Sequence, residues 1–284
     1  MPYITFLFRM KFNSFMVSIR GLFLLLETTK NFWVILKLKN SPGKRKIIFR
    51  KGCTLVIDWR EYQIIRSMLS KGYTINGNEN FLYFQKGTMK IALPLKFIKI
   101  LGESLEEDYK CDCKDKIVLD VGGFIGETAV LFAAWGAKKV IIYEPVVSNQ
   151  EFIQNNMNLN GINAELHDEG IGDHNGITII HYDAIDASFG LNDVGTNEME
   201  IKIKDATDII EESGASIAKF DCEGAEKYLL GVPVDTLRKI ELYMIEAHNE
   251  EIRNLLIDKF KESGFNLIKN SGSNMLVLSF KRVA

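Results

Sequence analysis

Val118-Leu119-Asp120-Val121-Gly122-Gly123-Phe124-Ile125-Gly126-Glu127 is the stretch that decides the fold. Its apolar start, from Lys116 to Val121, has the pattern of a buried strand. The glycines predict a turn, and the nearly all-apolar run Gly126–Trp135 predicts a helix. Glycine lets a ligand approach the backbone closely, and a helix N-terminus offers free N–H groups. A dinucleotide fingerprint beginning at Gly122 would need glycine where Phe124 and Glu127 stand. The Lys-Ser/Thr pair of a Walker phosphate loop is absent as well.

Working outward, strands are predicted at Lys139–Tyr143, Ala164–His167, 176–182, Met199–Ile203, Ser216–Asp221 and Lys239–Glu246. Helices are predicted at Ser148–Leu159, Ala206–Ser213, Ala225–Leu230 and Glu250–Ser263. Two further strands, Phe265–Lys269 and Met275–Phe280, follow. Strands alternating with helices imply an α/β fold, with a parallel sheet covered on both faces. The final hairpin adds an antiparallel strand. Upstream, residues 45–115 form a small mixed α/β region. It has strands Lys46–Arg50 and Thr54–Ile57, a helix over 60–70, and a hairpin of Phe81–Gln85 with Met89–Leu93. The acidic stretch Glu103–Asp115 marks the boundary, giving an N-terminal region 1–115 and a larger domain 116–284.

The composition agrees. Of 284 residues, 46% are hydrophobic and 25% charged, the mix of a globular protein with an ordinary core. Four cysteines exclude a disulfide scaffold, and five prolines exclude a collagen-like chain. The net charge of −2 conceals an asymmetry. Residues 1–51 hold eleven Lys/Arg against the single acid Glu27, so this segment can meet an anionic surface or remain a solvated basic region. Arg20, Glu27, Lys30 and Lys37 interrupt its apolar run, so no transmembrane span is expected. A helix is expected over 13–38, with an apolar face including Phe15, Phe23, Leu26, Phe32 and Trp33. With no signal-peptide pattern the cytoplasm is the expected location, and peripheral membrane attachment is the alternative.

Asp120 and Glu127 flank the glycine turn, and acids repel phosphate. They suit a cationic ligand such as S-adenosylmethionine, whose ribose needs acceptors. Tyr143-Glu144-Pro145 ends the next strand, and an acid there can accept both ribose hydroxyls. Gly122, Gly123 and Gly126 supply the close approach, and Glu169 lies where an adenine edge would reach. Asp120 and Glu144 could instead serve as caps, and Glu169 as a solvated loop acid.

Two more strand ends carry reactive groups. Lys219-Phe220-Asp221-Cys222-Glu223-Gly224-Ala225-Glu226 places several acids at the carboxyl end of its strand, where ligands bind in such sheets. Asp221 and Glu223 can orient a hydroxyl or hold a divalent ion, though no metal ligand set is assigned. Glu223 and Glu226 can also cap the next helix. In Tyr243-Met244-Ile245-Glu246-Ala247-His248-Asn249, His248 can take a proton from a hydroxyl and Glu246 can orient it or bind a metal; a satisfied rim histidine beside an N-cap asparagine is the alternative. Cys111-Asp112-Cys113 is expected in a surface loop, and Cys53 and Cys222 as free thiols.

Residues 118–129 resemble the first motif of class I methyltransferases, and Tyr143-Glu144-Pro145 with Asn155–Asn160 resembles the second. Lys219–Glu226 is similar to the signature of the FkbM-type methyltransferases, as is Ile245–His248 to that family's next strand. The resemblance implies a seven-stranded sheet of order 3-2-1-4-5-7-6 with strand 7 antiparallel. It also implies methylation by S-adenosylmethionine of a hydroxyl on a sugar, glycan or small natural product. Cys222 departs from the β-branched residue expected there. An RNA methyltransferase is the second reading, although the aromatic-proline loop that stacks a base is replaced by Asp221-Cys222-Glu223-Gly224, so nucleic acid is not the expected partner. A non-catalytic membrane-surface protein is the third, and the intact Asp120 and Glu144 speak against it.

Overall fold

The computed structural model describes residues 27–40, 43–50, 53–78, 80–102, 105–182, 189–190, 197–271 and 276–283. The chain divides into two compact units, Met1–Thr88 with Ala92–Glu103, and Met89–Ile91 with Ser104–Ala284.

In the first unit, α1 (Phe32–Asn40) precedes an antiparallel pair, β1 (Arg45–Ile48) and β2 (Thr54–Ile57). Of the helix expected over 13–38, residues 13–26 lie outside the described residues; Glu27 and Thr28 are helical, the helix breaks at Thr29–Asn31 and it resumes as α1 at Phe32. Backbone pairing explains the break. Thr29 bridges Phe49, Lys30 N donates to Ile48 O, and the Asn31 amide bonds both Ile48 N and Lys46 O. Ile35 and Leu38 form the buried face of α1, whereas Trp33 is 67% exposed. The helix α2 (Trp59–Ser70) starts at a capping box. Asp58 accepts from Glu61 N while the Glu61 side chain accepts from Asp58 N. The antiparallel pair β3 (Thr74–Gly77) and β4 (Leu82–Lys86) and a 3₁₀ segment Leu95–Gly102 follow, and β5 (Met89–Leu93) is divided between the two units.

The second unit is built on a seven-stranded sheet. Its strands are β6 (Ile117–Val121), β7 (Lys139–Tyr143), β8 (Ala164–His167), β13 (Ile217–Phe220), β14 (Leu242–Ala247), β15 (Phe265–Ser271) and β16 (Leu276–Arg282). The order across the sheet is β8-β7-β6-β13-β14-β16-β15, which is 3-2-1-4-5-7-6 when these seven are counted along the chain. β16 runs antiparallel to both its neighbours, and the other neighbouring pairs are parallel. This is the α/β sheet of the class I methyltransferase fold. The strands read as continuous apolar runs because helices cover both faces. Every residue of β13 is buried, including Lys219. Phe220, Tyr243, Phe260, Phe265 and Phe280 stack in one core cluster.

One expectation needs correcting. The strands predicted at 176–182 and Met199–Ile203 do not join the parallel sheet. They are β10 (Gly176–Tyr182) and β12 (Asn197–Asp205) of a separate four-stranded sheet, whose other members are β9 (Glu169–Gly172) and β11 (Phe189–Gly190). β10 is antiparallel to β12, which is parallel to β9. Along β10 and β12 one face is packed, with Ile180, Ile201 and Ile203 buried and Ile177 and Ile179 exposed, whereas Ile171 of β9 joins the main core.

Candidate active site

The glycine turn joins β6 to α3 (Glu127–Ala134). Gly122 and Gly126 both have positive φ, +82° and +83°. A Cβ at Gly122 would fall on the main-chain oxygen of Asp221, and one at Gly123 on the Ile142 side chain. Gly122 N and Gly123 N donate to Tyr143 O at 2.9 and 3.1 Å, so the turn is pinned to the end of β7. Phe124 sits in the left-handed region at φ 44°, a strained position for a residue with a Cβ.

Glu144, at the end of β7, is buried. Its Oε2 accepts from Phe124 N at 2.8 Å, and its Oε1 from Val146 N at 2.9 Å and Asn149 Nδ2 at 3.3 Å. Burial pushes its pKa up to about 7, against the opposing hydrogen bonds. A carboxylate offers about four acceptor sites, so Oε2 keeps capacity for a ligand hydroxyl. The bare turn beside this acid fits S-adenosylmethionine.

The sequence assigned Asp120 to the same ligand. The structure places it with no exposed surface: Oδ2 accepts from Thr128 Oγ1 at 2.6 Å, and Oδ1 is 3.2 Å from Lys219 Nζ. Asp120 therefore shapes the turn from beneath. Glu127 is buried at the first position of its helix. Glu169 opens β9 and pairs with Lys202 in the second sheet.

Lys219 links the two halves of the site. Its ammonium donates to Gly122 O at 2.7 Å and lies 3.5 Å from Asp221 Oδ2. Burial works to lower its pKa, but Asp120, Asp221 and Glu127 outweigh that and hold it above the ordinary value.

At the carboxyl ends of β13 and β14 the predicted Asp221, Glu223 and His248 come together. His248 Nε2 is 3.7 Å from Asp221 Oδ1, 3.5 Å from Glu223 Oε2 and 3.7 Å from Glu246 Oε1. Glu223 has φ 51°, a second strained non-glycine residue at a strand end. Burial raises the Glu223 pKa, and burial with the Asp221 charge brings Glu246 up to about 7. Burial alone would lower His248, but Glu226, Glu223 and Asp221 raise it to about 10, so the ring is an imidazolium at neutral pH. Asp221, Glu246 and His248 each bring one potential metal-ligating atom within 4.8 Å of the others.

Two residues of this site, Tyr109 and Lys219, were not singled out from the sequence, and Glu226 was read there only as a cap. Buried Glu226 accepts from His248 Nδ1 at 2.9 Å, from Cys222 N at 2.9 Å and from Gly224 N at 3.0 Å. It is thus the local cap that was expected and also a histidine partner. Tyr109 donates to Glu246 Oε2 at 2.8 Å. The Cys111-Asp112-Cys113 loop is corrected in part: Cys113 is buried, and its thiol lies 3.3 Å from Phe132 O. Cys53 and Cys222 are free thiols.

No protein-family model matches the chain, and no curated protein matches it in sequence. The FkbM-type resemblance therefore rests on the residues quoted above. Among solved structures, the chain is similar to an rRNA methylase from Streptococcus thermophilus, at 14% identity and TM-score 0.41 over 61% of this chain and 90% of that one. It is also similar to a ribosomal protein L11 methylase from Lactobacillus delbrueckii subsp. bulgaricus, at 17% identity and TM-score 0.36 over 60% and 72%. A third is a precorrin-6y C5,15-methyltransferase from Geobacter metallireducens, at 10% identity and TM-score 0.38 over 60% and 81%. With scores this low, the fold assignment rests on the strand order itself. That order, with the bare glycine turn and the buried acid after the second strand, gives the second unit the sheet architecture of class I methyltransferases.

Proposed function

We propose that the chain transfers a methyl group from S-adenosylmethionine to a hydroxyl of a sugar, glycan or small natural product. One observation carries this reading. The glycine turn with Glu144 and the cluster of Asp221, Glu223 and His248 meet at the same sheet end, held together by Gly122 against Asp221.

Bound S-adenosylmethionine supplies an electrophilic methyl on a sulfonium centre. The chain's own residues do the rest. Glu144 accepts ribose hydroxyls. Asp120, paired with Lys219 beneath the turn, holds its shape, and Glu127 stands at the start of the helix that follows. The main contribution to rate is positioning of the two reactants. Because His248 is already protonated, the acceptor proton passes to a carboxylate, Asp221 or the more accessible Glu223. His248 balances the charge of these acids. Asp221, Glu223, Glu226 and Glu246 surround one imidazole, and such a rim repels phosphate; this favours an unphosphorylated acceptor over RNA.

Calorimetry tests the cofactor. The expected affinity is micromolar, about −8 kcal/mol. Glu144→Ala is expected to weaken binding by about 1.5–3 kcal/mol, the worth of a hydrogen bond to a charged group. Binding of NAD in place of S-adenosylmethionine would end this reading. Labelled S-adenosylmethionine added with an extract of source cells then identifies the acceptor: label in glycan or small molecule supports the proposal, and label in RNA overturns its acceptor class.

A further inference from the structure

Asp221, Glu246 and His248 share an arrangement that methyl transfer alone does not require. Each has one polar atom tied by a neighbour and another turned toward a common point. His248 Nδ1 is held by Glu226 at 2.9 Å, leaving Nε2. Glu246 Oε2 is held by Tyr109 at 2.8 Å, leaving Oε1. Asp221 Oδ2 faces Lys219 Nζ and the Tyr109 hydroxyl, both at 3.5 Å, leaving Oδ1. The two remaining oxygens each stand 3.7 Å from Nε2, outside hydrogen-bond range.

Glu246 is only 7% exposed, and its Oε1 faces His248 Nε2 at 3.7 Å. Lys219 does not reach it, because its ammonium is directed at Gly122 O and Asp120. A histidine whose second ring nitrogen is bonded to a carboxylate is the usual outer partner arrangement of a metal-bound imidazole. Ligands about 2.1 Å from a small divalent ion stand roughly 3–4 Å apart, which matches the observed spacing.

We infer that Asp221 Oδ1, Glu246 Oε1 and His248 Nε2 bind one divalent first-row ion, such as Mn²⁺. Two carboxylates with one imidazole suit Mn²⁺, Fe²⁺ or Zn²⁺ better than the all-oxygen cages of Ca²⁺. The nearby thiol of Cys222 turns instead toward Val121 O, so no soft ligand joins the set. Glu226 and Tyr109 are the positioning residues. The role of the ion rests on the methyl-transfer reading: it would hold the acceptor hydroxyl and lower its pKa, with Glu223 left to receive the proton.

The test uses the full chain, stripped with a chelator and titrated with Mn²⁺ while free ion is followed by electron paramagnetic resonance. One ion per chain is expected. Pulsed measurements on the bound Mn²⁺ should show coupling to an imidazole nitrogen, a result that wild-type protein alone can deliver. His248→Gln and Asp221→Asn should each weaken binding by more than tenfold, and Glu226→Gln by about 10–100-fold, as for outer partners of metal ligands. Thermal melting identifies any variant that fails to fold, and such a variant is set aside in favour of the pulsed spectrum. Wild-type protein that binds no Mn²⁺ or Zn²⁺ at millimolar concentration overturns the inference. So does bound Mn²⁺ without nitrogen coupling, or binding that survives in folded variants. S-adenosylmethionine binding is measured separately on the stripped protein. Its loss would sink the methyl-transfer reading and leave the metal site standing.

Discussion

The main-chain oxygen of Asp221 occupies the space that a Cβ on Gly122 would need. The turn after β6 and the turn after β13 are therefore in direct backbone contact, reinforced by Asp221 N donating to Val121 O at 3.1 Å. Gly122→Ala must both adopt a φ near +82° and push two strand ends apart. The expected loss is about 2–4 kcal/mol, combining the left-handed penalty with overpacking. Urea denaturation measures it, and a loss below about 1 kcal/mol would contradict this contact.

Lys219 is the buried cation under the site. Lys219→Met leaves Asp120 buried beside a methyl group in place of an ammonium. Removing one partner of a buried pair costs about 3–5 kcal/mol. Adding Asp120→Asn should recover part of that loss, because the uncompensated charge is then gone. If the double variant is no more stable than Lys219→Met, the ion pair at 3.2 Å is not what Lys219 contributes.

Glu144 makes stability depend on pH. Burial moves its pKa from an ordinary 4.5 up to about 7, so between these values the folded state binds more protons than the unfolded one. Stability contributed by the protonated acid is complete below pH 4.5 and is lost as pH rises to about 7. The slope for one such group reaches about 1.4 kcal/mol per pH unit. Glu246, also raised to about 7, acts in the same window and with the same sign. Glu144→Gln should therefore lower the slope by up to about 1.4 kcal/mol per pH unit, as read from denaturation midpoints at several pH values. An unchanged slope would mean that Glu144 does not titrate there.

The same carboxyl must be ionised to serve a ribose at full strength. Affinity for S-adenosylmethionine should accordingly rise with pH up to about 7 and then level off, with proton release on binding below that pH. Calorimetry in two buffers of different ionisation enthalpy detects the proton directly. Affinity that is flat with pH would remove Glu144 from the ribose site.

Glu223 holds φ 51° at the rim of the site. Glycine adopts that conformation without strain, so Glu223→Gly should stabilise the fold by about 1 kcal/mol while it lowers methyl transfer. Gain of stability with loss of activity is the signature of strain kept for function. Loss of both would assign Glu223 to structure.

Much of this architecture was legible because it is local. The strand from Lys116 to Val121, the glycine turn and the helix after it announce themselves through apolar runs and glycines, and the observed β6 begins one residue later, at Ile117. Asp221, Glu223 and His248 could be picked out because reactive residues at the carboxyl ends of parallel strands have few other reasons to be there. The second sheet was harder. β9 reads Glu169-Gly170-Ile171-Gly172, where glycines suggest a turn, and only its pairing with β12 makes it a strand. Tyr109 and Glu246 meet across 137 residues, and no periodicity encodes such a contact. Glu226 was visible, but a cap accounted for it until His248 was found on its carboxylate. The described part of the helix expected over 13–38 is helical except at Thr29–Asn31, where Thr29 and Asn31 bond across to β1 and its flank.

The placement of β16 sets the order in which a growing chain can become competent. β14, which ends at Ala247 just before His248, lies between β13 and β16, with Glu246 opposite Val277 and Ala247 opposite Leu276. Until β16 leaves the ribosome, β14 is an open edge with unpaired N–H and C=O groups. On the proposed function, β6 to β8, which carry the donor turn and Glu144, precede residues 276–282 along the chain, whereas the strand that carries Glu246 and leads into His248 gains its second neighbour only when those residues emerge.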